Sequence, residues 1–291
     1  MSRATAGRAP VLIRHYTDPG CPWAFSAERQ RLRLLWLYGE QIAWELHMVV
    51  LSETPPQKFT PEELADGFRT LSLRYGMPID WRPRPRTYAS IHACRAVVAA
   101  RLRWPDREAR LLRRLRVLYF AGEPLDDSDT LELAAEQAGL PVDELAAWAD
   151  APEVQDALRA DMHASRSPSP ASRAQDYKLG GPEEERRYTC PSYELLRGAP
   201  APADWETAGR VDLPGFRPVE AYEAAIANLA PELTRRADPQ SAREVLEWAG
   251  IPLATAEVAA VCDEEPADVR TELARDARFE PVGADGYWSL A

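Results

Sequence analysis

The chain has 291 residues with 35 basic and 46 acidic side chains, a net charge of −11. That length holds one large domain or two, and 45% hydrophobic with 28% charged residues is the composition of a folded globular protein. The acidic balance argues against a general binder of nucleic acid or anionic membrane, which needs basic surface, and no stretch reaches the ~18 apolar residues of a membrane span.

Residues 10–16 predict a short buried strand. Asp18-Pro19-Gly20 is turn chemistry. Cys21 then stands at a helix start, with Pro22 in the first turn where a missing N–H costs nothing. Ala24, Leu32, Leu35 and Trp36 can share one helix face, and Gly39 is a stop signal. Residues 41–51 are rich in strand formers and predict a second strand.

From Thr60 to about Ser165 strand signals almost vanish. Helices are expected from Pro61, then over 88–102, 106–120, 129–138, 141–149 and 152–164. The stretch 101–116 holds seven arginines with leucines at helical spacing. It predicts a solvated basic face, with an acidic ligand as the alternative. Residues 165–187 are polar and flexible in character. Residues 188–196 read as a turn into a strand, 205–211 as its partner, and 218–229 as a helix.

Beyond a linker-like stretch at 230–239, Asp238 and Pro239 start a helix running to Gly250. A second helix is expected from Thr255, a third over 266–279, and a short hairpin over 280–288. Three helices and a hairpin are the order of a winged-helix unit. This segment carries four arginines against twelve acids over 238–291, a net of −8. Phosphate contacts dominate DNA affinity, so the segment is expected to contact protein, not nucleic acid.

The order of strand, tight turn, Cys-Pro-Trp, helix, strand, helical block, then Xaa-Pro into a strand pair resembles the DsbA-like family of the thioredoxin superfamily. Asp18-Pro19-Gly20-Cys21-Pro22-Trp23 is similar to that family's active-site segment, and Thr189-Cys190-Pro191-Ser192 to its cis-proline loop. The resemblance covers about residues 9–230. It implies an α/β, thioredoxin-like fold with a large helical insertion (about 56–187) in a domain spanning 1–230. The acidic, winged-helix-like domain would take 231–291.

A thiol at a helix N-terminus faces unpaired N–H groups and the positive end of the helix dipole, which favour the nucleophilic thiolate. Cys21 is therefore the candidate nucleophile, expected to be reached from a cleft between core and insertion. Ala24 stands where a dithiol member of the family has its second cysteine, so the motif is a degenerate Cys-Pro-Trp-Ala. A mixed disulfide on Cys21 would need a low-molecular-weight thiol, such as glutathione or mycothiol, to resolve it. The alternative resolver is Cys190, which in this fold lies against the active-site cysteine; it also reads as a small apolar filler.

Pro22, Trp23, Thr189 and Pro191 are the substrate-binding candidates, Trp23 alternatively packing on the insertion. Cys94 and Cys262 read as core. His15 reads as a strand histidine with a satisfied hydrogen bond. The other histidines lack metal-ligand spacing, so neither a metal nor a tightly bound cofactor is expected. Four widely spaced cysteines and no apolar export segment after Arg8 point to the cytoplasm. The expected function is a thiol-dependent oxidoreductase acting on a disulfide or electrophilic small molecule. The alternative, which the missing second cysteine and the added acidic segment fit, is a non-catalytic binding or adaptor module.

Overall fold

The computed structural model describes residues 9–198 and 209–290. Its central sheet has the order β2-β1-β5-β6. Strand β1 (Val11–Thr17) lies parallel to β2 (Ile42–Met48). It lies antiparallel to β5 (Ser192–Arg197), which pairs antiparallel with β6 (Arg210–Leu213). The expected strand over 205–211 falls partly on residues 205–208, outside the described residues; the observed strand begins at Arg210.

Between β1 and β2 the expected single helix is two, α1 (Pro22–Ser26) and α2 (Glu28–Tyr38). Ala27 ends the first: its N–H bonds back to the Trp23 and Phe25 carbonyls, while its own carbonyl receives the N–H of Gln30 and Arg31. The insertion comprises α3 (Pro61–Tyr75), α4 (Ile91–Arg103), α5 (Glu108–Ala121), α6 (Ser128–Ala138), α7 (Val142–Ala149) and α8 (Pro152–Ser165). Helix α3 starts on a Thr60–Glu63 capping box, satisfying end N–H groups reciprocally.

The stretch expected to be flexible carries a short α9 (Pro170–Arg173) and a small hairpin of β3 (Leu179–Gly180) and β4 (Arg187–Tyr188). Tyr188 anchors it: its hydroxyl accepts from Ser169 N–H and Ser172 and donates to Glu194 at 2.7 Å. Helix α10 (Val219–Leu229) follows β6.

The C-terminal segment is α11 (Ala242–Ala249), β7 (Leu253–Ala254), α12 (Thr255–Cys262), α13 (Pro266–Leu273), β8 (Ala277–Val282) and β9 (Asp285–Leu290), with strand order β7-β9-β8. Ser241, not Asp238, caps α11; Asp238 instead meets Arg33 of α2 at 2.8 Å. The third helix stops at Leu273 and the Phe279 segment is strand, pairing Phe279 with Trp288.

Leu32, Trp36 and Leu37 of α2 share one apolar cluster with Val245, Leu246, Val258 and Val261 of the C-terminal segment. Arg33 also donates to the Val261 carbonyl, and Trp36 Nε1 to that of Ala237 at 2.9 Å.

The arginine row is a solvated face only in part: Arg103 and Arg110 are exposed, while others turn inward. Arg116 is buried against Glu28 and Thr17, and Arg113 against Glu257 at 2.6 Å. Arg101 bonds the Leu46 carbonyl and Asp161. Carboxylates from other elements offset the desolvation of these guanidinium groups.

Candidate active site

Asp18 builds the turn ahead of Cys21. One carboxylate oxygen accepts the Gly20 N–H at 2.7 Å, an Asx-type turn. The other accepts from Leu51 N–H at 2.8 Å and the Ser90 hydroxyl at 2.7 Å. The turn is thereby tied to the end of β2 and the start of α4. Space at Gly20 is tight: a Cβ there would lie 3.2 Å from Leu125.

Cys21 is the N-cap residue of α1. Five residues of helix supply little macrodipole, so the local amides matter more. The Cys190–Pro191 peptide bond is cis, and the loop carrying it enters β5 beside β1. The Cys21 thiol donates to the Cys190 carbonyl at 3.2 Å. Both cysteines sit in a small apolar cluster with Tyr16, Val49, Leu179 and Tyr188.

The Cys190 thiol, hydrogen-bonded to the Cys21 sulfur, holds the Cys21 thiol below its ordinary value against the effect of burial. The amides of Ala24 and Trp23 add to this, and the Asp18 carboxylate opposes it. Cys190 goes the other way: burial first, and then the charge it faces on Cys21, push its thiol well up. The two neighbouring thiols are thus shifted in opposite directions, Cys21 toward greater acidity and Cys190 toward less.

Cys21, expected to be reached from a cleft, is buried. Cys21 is 5% exposed, because the Tyr16–Tyr188 stack and the Cys190 loop close around it. Trp23, by contrast, is 40% exposed. It packs on Tyr75 at the end of α3 and Phe216 in the loop after β6, each with ring centroids 5.7 Å away. Pro22 is half-buried and Pro191 buried. The Thr189 hydroxyl donates to the Lys178 carbonyl at 2.8 Å, fixing the cis-proline loop to the β3–β4 hairpin.

Sequence reasoning missed Tyr75 and Phe216. Neither lies near a motif, and only the chain's tertiary path brings them to Trp23. Cys94 is buried at 3.5 Å from Asp18, and Cys262 lies in the cluster shared with α2. His15 is buried between Tyr193 and Trp44 with neither ring nitrogen hydrogen-bonded among the described residues, contrary to the expected satisfied histidine. Its cross-strand partners are Leu46 on β2 and Tyr193 on β5. Among the described residues no three His, Cys, Asp or Glu side chains are grouped to hold a metal, and no helix is long and apolar enough to cross a membrane.

Residues 12–168 match the family model of the DSBA-like thioredoxin domain. The ClpXP adapter protein SpxH of Shouchella clausii (strain KSM-K16) is 26% identical over 283 residues, 94% of this chain and 84% of its own. A crystal structure of a candidate protein disulfide isomerase from Nitrosomonas europaea superposes with a TM-score of 0.57 at 17% identity, over 76% of this chain and 98% of its own. The cytosolic disulfide reductase DsbM from Pseudomonas aeruginosa gives a TM-score of 0.53 at 14% identity, over 76% and 98%. At these identities the likeness to the solved structures is one of fold.

Proposed function

Because the chain belongs to the DSBA-like thioredoxin family, a family of thiol–disulfide oxidoreductase character, we propose that Cys21 is a redox nucleophile and that Cys190 is its resolving partner. The observation that carries this reading is the approach of the Cys21 sulfur to within 3.2 Å of the Cys190 carbonyl, with the acidities of the two thiols pushed in opposite directions. It supplies a second thiol where the motif has Ala24.

In this reading the Cys21 thiolate attacks one sulfur of a substrate disulfide. The S–S bond breaks, a mixed disulfide forms on Cys21, and the first substrate thiolate leaves and takes a proton from solvent. Cys190 loses its proton and attacks the Cys21 sulfur. This releases the second substrate thiol and leaves a Cys21–Cys190 disulfide. Two molecules of a low-molecular-weight thiol of the glutathione or mycothiol class reduce that bond and emerge as their own disulfide. Alternatively the small thiol attacks the mixed disulfide directly. Trp23, with Tyr75 and Phe216, provides the exposed apolar contact for substrate, and Pro22, Thr189 and Pro191 shape its edge. The compartment proposed for this chemistry is the cytoplasm, where thiols are kept reduced.

The test is trapping. With a glutathionylated peptide as substrate, Cys190→Ala is expected to accumulate a mixed disulfide on Cys21, seen by mass. Cys21→Ser is expected to show none. A Cys21 that forms no adduct and alkylates like an ordinary thiol would sink the reading.

A second reading is an adaptor that binds protein without redox turnover. It is favoured by the Shouchella relative, which is described as an adapter protein and matches 94% of this chain. The low exposure of Cys21 also suits it. In that case Cys21→Ser leaves partner binding intact, and the acidic C-terminal segment is the natural contact surface.

A further inference from the structure

A cavity of about 750 Å³ lies where α2, the first part of β2, α5 and the loop after α11 meet. The β1–β2 register sets Val11 beside Ile42 and Thr17 beside Met48. The cavity, on residues 42–46, therefore opens away from the end of the sheet that carries Cys21. Its apolar walls include Leu32, Leu35, Ile42, Trp44, Trp248 and Ile251.

One wall is different. Arg110 and Arg114 lie four residues apart on α5, on one helix face, Arg110 exposed at the rim and Arg114 half-buried. Arg113 beside them is ion-paired with Glu257, and Arg31 opposite is paired with Glu28 while lying over the Trp44 ring. Among the described residues Arg110 and Arg114 have no carboxylate partner. The Arg114 guanidinium bonds only the neutral amide oxygen of Gln137, its Nε at 2.7 Å. Burial, with the neighbouring Arg113, holds it below its ordinary pKa. Of the carboxylates bordering the cavity, Glu28 and Glu108 face Arg116, Arg31 and Arg101, and Glu40 and Asp106 are exposed at the rim. A half-buried guanidinium whose hydrogen-bond partner is a neutral amide, with Glu280 acting on it without an ion-pair contact, is incompletely compensated charge beside an apolar space.

We propose that this cavity binds a small amphipathic organic anion. A flat apolar body lies between Trp44, Leu35 and Ile251, and a carboxylate or sulfonate end lies between Arg110 and Arg114. The volume falls within the ~300–1,000 Å³ of small-molecule sites, and guanidinium groups make charge-assisted bonds to such oxyanions. The walls come from the thioredoxin core, the insertion and the C-terminal segment together. Occupancy therefore stabilises their junction, since a ligand that binds only the folded state raises its stability.

The probe is anilinonaphthalene sulfonate, followed by its fluorescence with the full chain. One saturable site per chain and a raised melting temperature are expected. Arg110→Glu combined with Arg114→Gln weakens binding by about tenfold or more, the effect of losing charge-assisted bonds. Neutral N-phenylnaphthylamine, which lacks the sulfonate, keeps its affinity within about twofold in the same variant, since it makes no such bonds. Neither arginine is ion-paired among the described residues, so the variant is expected to keep the parent far-ultraviolet circular dichroism. Non-saturable enhancement, absence of binding by the folded protein, or equal weakening of both probes would overturn the assignment.

Discussion

The Cys21 thiol donates to the backbone carbonyl of Cys190, 3.2 Å away and 169 positions along the chain. Two short local structures make that meeting. The Asp18 turn sets the first thiol at the start of α1, and the loop into β5 sets the second against it. Neither requires a CxxC pair.

Truncating the Cys190 side chain leaves that carbonyl in place and tests the separate contribution of the Cys190 thiol to the acidity of Cys21. Cys190→Ala deletes the hydrogen bond that stabilises the Cys21 thiolate, so the midpoint of Cys21 alkylation moves to higher pH. Cys190→Ser keeps an O–H donor and is expected to leave the midpoint lower than in the alanine variant. Iodoacetamide rates against pH, read by peptide mass, give both midpoints. Equal midpoints in the two variants would show that Cys190 does not hold the thiolate.

Trp23→Ala removes two aromatic contacts, to Tyr75 and Phe216. Such pairs contribute about 0.5–1.5 kcal/mol each, so a loss of about 1–2 kcal/mol in urea unfolding is expected, reduced by the partial exposure of the ring. The backbone amide at position 23 survives the change. The alkylation midpoint of Cys21 should therefore stay in place while KM for a peptide disulfide rises.

Glu257 is fully buried and accepts from both Arg113 nitrogens, at 2.6 and 2.8 Å, as well as from Ala254 N–H. Glu257→Gln leaves a buried guanidinium uncompensated and is expected to destabilise by about 3–5 kcal/mol. Adding Arg113→Met removes the stranded charge and should recover part of that loss, measurable as a rise in the urea midpoint over the single variant.

Two histidines act on stability with opposite signs. Burial lowers the pKa of His47, but the Asp161 and Glu45 carboxylates outweigh it and lift the imidazolium to about 9. Its stabilisation is complete below the ordinary 6.5 and is lost as pH rises through 9. His15 is held well below 6.5 by burial, then by Arg116 and Arg31. The unfolded chain takes the proton that folded His15 refuses, so acidification below 6.5 costs up to about 1.4 kcal/mol per pH unit. Melting temperatures from pH 5 to pH 10 (roughly the span of these titrations) should therefore fall on both sides. His47→Asn is expected to flatten the alkaline side and His15→Leu to relieve the acid side.

The strand, turn and Cys-Pro start of the site were legible because their chemistry is local: an apolar run, an Asx-forming Asp18, and a proline where N–H groups are unpaired. The helical block was legible from its spacing. What stayed hidden depends on groups far away in sequence. The leucine period of 101–116 suggested a solvated arginine face, but Glu28 and Glu257, more than 80 positions distant from their partners, draw two of those arginines inside. Helical spacing continues past Leu273, yet Phe279 goes to strand because Trp288 offers it a cross-strand partner. The flexible composition of 165–187 concealed an ordered hairpin because its anchor, Tyr188, reaches Glu194 on β5.

Helix α2 is linked to the thiol-bearing turn through Glu28 and Arg116, which also bonds the Asp18 carbonyl, and it forms the floor on which the C-terminal segment rests. A fragment ending near residue 230 would bare Trp36 and Leu32 to water and leave Arg113 without Glu257. Such a fragment is expected to aggregate, and the intact protein to melt in one transition with no stage at which the last 60 or so residues unfold alone. Substitutions in α12 that loosen its grip on α2 should then register at the other face of that helix, as faster hydrogen exchange in the turn that presents Cys21.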